Sequence, residues 1–256
     1  MPKKKIDIPF KSFLKNGRKD LIWRGLKKVA IERMDQKAAQ EEISSSLYQQ
    51  NWIAYVNRLI ELGDLQKKKT VLEVGCGWGR ILVGLAGFCP HLNLMALDIR
   101  TGLLHFAKQV VFKETGISIG YWTVGDAENL PFRSNTFDMV YCIRVLHYLI
   151  SPRKALREFF RLCKKDGVAV VFLPNKWNIL YSLLQRDCDR KLYFPIEVVN
   201  WFEESGFSDV QWGTIGFIPS GTFDYRSKIL GLEYFAETAP ILSRLGGIFY
   251  VVGRKR

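Results

Sequence analysis

The chain has 256 residues, 48% of them hydrophobic and 25% charged. These proportions suit one large globular domain or a domain with an appendage, and they exclude a collagen-like, low-complexity or mainly disordered chain. The outlying value is the charge: 38 Lys and Arg against 25 Asp and Glu, a formal net of +13, which admits nucleic acid, an anionic membrane surface or an acidic substrate as partners.

The N-terminal part carries most of that excess. Residues 1–70 hold 16 basic and 8 acidic residues, whereas the remaining residues hold 22 and 17 and end on Arg254-Lys255-Arg256. Met1-Pro2-Lys3-Lys4-Lys5 has no apolar signal core and no apolar run of membrane-spanning length follows, so a cytoplasmic protein is expected. From Asp20 to Glu42, Leu21, Ile22, Leu26, Val29, Ala30 and Met34 recur at helical spacing, with Lys27, Lys28 and Arg33 between them. A second helix is expected from Ser46 to Leu62, stopped by Gly63-Asp64. Residues 1–68 are therefore read as a basic helical extension or lid, and 69–256 as the main domain.

From Thr70 onward short apolar runs alternate with amphipathic stretches. Strands are expected at Thr70–Val74, Asn93–Asp98, Ser118–Thr123, Thr136–Cys142 and Val168–Leu173, with helices near Gly79–Gly87, Gly102–Lys113 and Pro152–Cys163. This order implies an α/β fold with a parallel sheet covered on both faces. A helix near Pro195–Ser205, a strand near Phe207–Thr214 and a last strand near Gly247–Val252 follow. An insertion of about residues 215–245 separates the last two strands. The five cysteines form no C-x-x-C pair and read as reduced and buried, and the three histidines are never spaced as ligands, so no metal site is expected.

The first strand runs into Gly75-Cys76-Gly77-Trp78-Gly79-Arg80. Glycines there permit positive φ and a close approach of backbone to ligand. The dinucleotide fingerprint would need glycine where Arg80 stands. Asp98 ends the second strand, where a carboxylate accepts from a ribose diol. Asp126 follows the third strand and is placed to accept from an exocyclic amine.

With these features the chain resembles the class I S-adenosylmethionine-dependent methyltransferases. The resemblance rests on V-L-E-V-G-C-G-W-G-R, L-D-I, G-D-A-E-N-L-P-F, F-D-M-V-Y-C-I-R-V-L-H-Y-L and R-L-C-K-K-D-G-V-A-V-V-F, in that order over residues 70–173. It implies a Rossmann-like seven-stranded sheet in the order 3-2-1-4-5-7-6 with one antiparallel strand. It implies S-adenosyl-L-methionine as cofactor and S-adenosyl-L-homocysteine as product. By the same resemblance Gly75, Gly77 and Gly79 lie under the methionine part with Glu73 at the base. Asp98 holds the ribose, Ile99 lies against the adenine, and Asp126 and Ala127 read the ring. Ile143 and Arg144 line the sulfonium end.

The expected reaction is methyl transfer to an oxygen or carbon of a small apolar, aromatic or lipid-like molecule, with catalysis mainly by positioning. His147 is the candidate general base, a loop brace being its other reading. Tyr48, Trp52, Asn175, Trp177, Tyr181 and Phe223 are candidate substrate-pocket residues. The segment from Lys11 to Lys28 interleaves basic residues with Phe13, Leu14, Ile22 and Trp23. It is read as a solvated face, a peripheral membrane contact or an RNA contact. An RNA or protein methyltransferase docking through that segment is the alternative function, and a non-catalytic binding protein that keeps the fold is the third.

Overall fold

The computed structural model describes residues 46–67, 69–178, 191–216 and 242–256. Their strands are β1 (Thr70–Val74), β2 (Asn93–Asp98), β3 (Tyr121–Val124), β4 (Phe137–Ile143), β5 (Cys163–Pro174), β6 (Ser208–Ile215) and β7 (Ile248–Arg254). The helices are α1 (Ser46–Gly63), α2 (Arg80–Phe88), α3 (Thr101–Thr115), α4 (Pro152–Leu162) and α5 (Pro195–Glu204). The strands form one seven-stranded sheet in the order β3-β2-β1-β4-β5-β7-β6. β1 to β5 pair in parallel, and β7 runs antiparallel to both β5 and β6. The order and the single reversed strand are those implied by the resemblance.

Burial on both faces explains why the central strands read as continuous apolar runs. Alternate residues of β1 enter opposite cores: Val71 joins Leu59, Leu82, Ala96, Val111 and Met139, while Leu72 and Val74 join Val140, Leu156, Phe159 and Phe202. The first face is covered by α1, α2 and α3, the second by α4 and α5. α1 is therefore an integral layer over the sheet. It lies so close to α2 that a Cβ on Gly84 would come within 2.7 Å of Trp52 and Val56 side chains. The sequence-based segment 1–45 and the tip of the insertion, 217–241, lie outside the described residues. The two arms of that insertion meet, since the Gly247 N–H donates to the Gly216 carbonyl.

Two strands begin well away from the sequence expectation. β3 begins at Tyr121, not Ser118, because its ladder with β2 starts at Met95↔Tyr121. β5 begins at Cys163, directly after α4, because Phe137 pairs with Cys163 ahead of a register shift. The polar run Lys164-Lys165-Asp166 is carried inside that strand, with Asp166 at φ 62 and its N–H on the Lys255 carbonyl. At the amino-terminal ends of the strands, Asp138 accepts from the Thr70 N–H at 2.8 Å and from Lys164 Nζ at 2.9 Å.

Phe159 is fully buried between α4 and the sheet. Phe159→Ala is expected to cost about 3–5 kcal/mol in urea unfolding, the usual penalty for emptying a buried aromatic site. A loss below about 1 kcal/mol would mean that α4 is not packed as described.

Candidate active site

The candidate cofactor residues gather at the carboxyl ends of β1 to β4. β1 lies between β2 and β4, so successive connections leave in opposite directions and open a crevice there. A cavity of about 480 Å³ bounded by Lys69, His91, Asp138 and Lys164 opens at the other, amino-terminal ends of the strands and is separate from this crevice.

The loop after β1 takes the left-handed backbone that only glycine adopts without strain: Gly75, Gly77 and Gly79 have φ of 77°, 52° and 78°. Each glycine has its own reason. The Val145 side chain occupies the space that a Cβ on Gly75 would need. A Cβ on Gly79 would lie 3.1 Å from that of Ala107 on α3. Among the described residues nothing lies within 4 Å of a Cβ on Gly77, so the backbone there faces open space between them. Gly75 and Cys76 N–H groups both donate to the Leu97 carbonyl at 2.7 and 3.0 Å, and Gly77 N–H donates to Asp98 Oδ2 at 2.8 Å. The loop is thus pinned to the end of β2.

Asp98 is 4% exposed. Its Oδ1 accepts from the Arg100 N–H at 2.9 Å, and its own carbonyl accepts from the Gly125 N–H at 3.2 Å. Each carboxylate oxygen retains a further lone pair. Ile99, the next residue, is 66% exposed despite its apolar side chain. Asp126 is exposed, and its Oδ1 accepts from the Glu128 N–H at 2.9 Å, which closes a turn that leaves Ala127 buried.

Glu73 lies beneath the glycine loop, 2% exposed. In the parallel register it stands beside Tyr141 of β4 and Ala96 of β2. The phenol of Tyr141 is near enough to favour the ionised carboxylate, yet the pair does not reach hydrogen-bond geometry: Glu73 Oε2 and Tyr141 Oη are both buried without a partner. Burial outweighs that contact and the guanidinium of Arg80, and with the nearby Asp98 charge it pushes the Glu73 carboxyl up to about 8. Burial first, and the Glu73 charge second, also push the Tyr141 phenol well above its usual range.

Beyond β4, Ile143 is half-buried and Arg144 holds a left-handed φ of 58°, its N–H on the Phe172 carbonyl at 2.8 Å. A non-glycine residue in that conformation is uncommon and marks a constrained turn at the site. His147 sits in a 3-10 turn (Leu146–Tyr148), 2% exposed, with its ring 4.1 Å from that of Tyr148.

Among the described residues, the candidate substrate residues Trp52, Asn175 and Trp177 do not converge. Trp52 packs on α2 at Gly84, on the α1 side of the sheet. Asn175 is fully buried and committed to backbone: its Nδ2 donates to the carbonyls of Arg244 and Gly246, and its Oδ1 accepts from the Trp177 N–H. Asn175 therefore braces the chain after β5. Trp177 packs against Phe194 and Trp212. Tyr181 and Phe223 lie outside the described residues, as does the Tyr48 side chain. The sequence reading passed over four residues that shape the site. For Tyr141, register parity with Glu73 is the signal that would have found it. Val145, Glu158 and Arg161 went unmarked, the last two despite their helical i, i+3 spacing of opposite charges.

Residues 72–171 match the family described as "Methyltransferase domain". The chain is 29% identical over 194 residues to an uncharacterized protein of Methanocaldococcus jannaschii, covering 76% of this chain and 79% of that one. It is 32% identical over 148 residues to 2-methyl-6-phytyl-1,4-hydroquinone methyltransferase 1 of Oryza sativa, covering 57% of this chain but only 43% of the rice enzyme. Its fold matches that of magnesium protoporphyrin IX methyltransferase from Synechocystis, solved with bound SAH. The TM-score is 0.61 at 14% identity, over 94% of this chain and 96% of that one. Residues 72–171 are a methyltransferase domain, and the comparisons support a class I S-adenosylmethionine-dependent methyltransferase.

The residues fit that family's cofactor. S-adenosylmethionine is cationic at its sulfonium and amino groups, and Glu73 offers a buried carboxyl with an unpartnered oxygen under the glycine loop. The open face of Gly77 admits the approach of a ligand to the backbone, and Ile99 offers exposed apolar surface at the end of β2. Among the described residues no group of three or more His, Cys, Asp or Glu is arranged to hold a metal.

Two predictions follow from this geometry. Gly77→Ala is expected to fold, at a strain cost of about 1 kcal/mol for the positive φ, while losing most of its affinity for S-adenosylhomocysteine; calorimetry that finds the affinity intact would remove the cradle. The second concerns Glu73, whose ordinary pKa of 4.5 rises to about 8 on folding. The ligand-free folded protein then binds more protons than the unfolded chain between those values. Its contribution to stability is full below about pH 4.5 and is lost as pH rises through about 8. Urea unfolding of the wild type should therefore weaken across that window relative to Glu73→Gln, which cannot ionise. Parallel pH profiles for the two proteins would refute the shift.

Proposed function

We propose that the protein transfers the methyl group of S-adenosylmethionine to an oxygen or carbon of a small apolar, aromatic or lipid-like molecule. The observation that carries this reading is the open backbone face at Gly77, whose N–H is held by the buried carboxylate of Asp98, in a loop that begins two residues after the buried Glu73. The acceptor class draws its support from the rice relative, whose name gives a phytyl hydroquinone as the molecule methylated.

When bound, S-adenosylmethionine supplies an electrophilic methyl group on its sulfonium. The protein's own groups bind, orient and exclude water, which is where most of the rate gain arises. Asp98 holds the ribose hydroxyls on the remaining lone pairs of oxygens that Gly77 and Arg100 already fix in place. Asp126 accepts from the adenine amine, Ala127 presents its backbone to the ring, and Ile99 covers a face of it. Glu73 releases its proton next to the cationic end, since an opposite charge favours its ionised form. Ile143 and Arg144 line the methyl end. His147 takes the proton of a hydroxyl acceptor; an acceptor that is already a phenolate or enolate needs no such transfer.

A cytoplasmic location, with the basic N-terminal segment docked on an anionic membrane surface, belongs to the same proposal. That segment lies outside the described residues, and salt-sensitive binding of the full chain to anionic liposomes is the expected support. No observation among the described residues favours an RNA or protein acceptor.

Calorimetry with S-adenosylhomocysteine should register binding, weakened about 10- to 100-fold in Asp98→Ala by loss of charged hydrogen bonds. Undiminished affinity in that variant would overturn the ribose assignment. Incubation with methyl-labelled cofactor and a panel of hydroquinones and phenols should label one of them. Labelling confined to RNA or protein would overturn the acceptor class. For a hydroxyl acceptor, His147→Gln should lower kcat by about 10²–10⁴-fold with cofactor affinity unchanged; an unchanged kcat would leave His147 as a brace.

A further inference from the structure

We propose that Glu158 and Arg161 form a positioning clamp for residues 126–134, and that this clamp sets the affinity and base selectivity of the cofactor site. The proposal rests on the reading above in which Asp126 and Ala127 contact the adenine ring.

The two residues stand one turn apart on α4 and pair in bidentate fashion, Nε to Oε1 at 2.8 Å and Nη2 to Oε2 at 2.7 Å. Both are largely shielded, with 18% and 33% of their side chains exposed. The pairing holds the Glu158 carboxyl below its ordinary range and raises the Arg161 guanidinium above its own. What the pair grips is backbone. Glu158 Oε2 accepts the Leu130 N–H at 2.9 Å. Arg161 Nη2 donates to the Leu130 carbonyl at 3.0 Å, and Nη1 donates to the Phe132 carbonyl at 2.7 Å and to Ser134 Oγ at 3.4 Å. Between them Pro131 has no N–H to give.

These backbone groups have no ladder partner, because the chain between β3 and β4 has left the sheet. The planar guanidinium satisfies a carboxylate and two carbonyls at once, a fork that a lysine ammonium does not reproduce. The other end of α4 holds the same loop, since the Ser151 N–H donates to Glu128 Oε1 at 2.8 Å. The Asp126 turn closes on Glu128 and so leads directly into these anchors. α4 also continues from residues 144–150, so one helix fixes the adenine-reading loop relative to the chain that lines the methyl end. A small shift of that loop would misplace Asp126 and Ala127 against the ring, and hydrogen-bonded recognition falls steeply with such displacement.

The test is calorimetry on the full chain with two ligands, S-adenosylhomocysteine and its hypoxanthine counterpart S-inosylhomocysteine, which lacks the exocyclic amine. Wild type should favour the adenine ligand. Arg161→Met should weaken that ligand by about tenfold and reduce the preference, and Arg161→Lys should fall between the two. If Arg161→Met does not fold, Arg161→Lys and Glu158→Gln give the same readout. Weakening of both ligands by one factor, with the preference kept, means a merely structural role and overturns the proposal. So does a wild-type preference in the clamp variants while Asp126→Asn loses it. A preference that survives Asp126→Asn removes the adenine reading itself, and the clamp proposal with it.

Discussion

The bond from the Gly77 N–H to Asp98 Oδ2, 2.8 Å long, is the contact on which the site depends. It joins a loop that has left β1 to the last residue of β2, and it does so at a buried carboxylate. A hydrogen bond to an ionised, shielded group is worth about 1.5–3 kcal/mol, roughly twice a neutral one. The same residue accepts from the Arg100 N–H through Oδ1 and from the Gly125 N–H through its carbonyl. Three loops, after β1, β2 and β3, therefore share one anchor.

That anchor explains why the glycines are needed. A loop drawn back onto the end of β2 must turn with positive φ at three positions, and at two of them Val145 and Ala107 crowd the backbone as well. The open position, Gly77, is the one held by Asp98. Rigid fixation and free approach thus coincide at a single residue, which is the arrangement a backbone-reading site requires. Glu73 supplies the complementary electrostatics. Its carboxyl is buried beneath the loop with one oxygen unpartnered, a state that is costly without a cation and relieved by one.

Much of this was legible in the residues. The alternation of apolar runs with amphipathic stretches placed the five parallel strands. Gly75, Gly77, Gly79, Asp98 and Asp126 were marked because their residue types and distances from strand ends are chemically restrictive. Asn175 and Trp52 show where reading by residue type fails. An amide and an indole suit a substrate wall and a core equally well, and only their partners decide: Asn175 is committed to backbone carbonyls, Trp52 to Gly84 of α2. The adjacency of Glu73 and Tyr141 was invisible for another reason. The two residues are 68 positions apart, and their adjacency follows from the β1–β4 register.

By itself, the sequence determined the sheet's composition, its flanking helices and the sites where backbone freedom and strand-end carboxylates occur, because those depend on local periodicity and on the steric needs of single residues. Tertiary structure alone decided which charges are buried and what each one holds. It raised the Glu73 carboxyl by removing water from it, and it turned Glu158 and Arg161 from an ordinary helical ion pair into a grip on a distant loop. Solvation and long-range register are properties of the assembled sheet, and no window of sequence contains them.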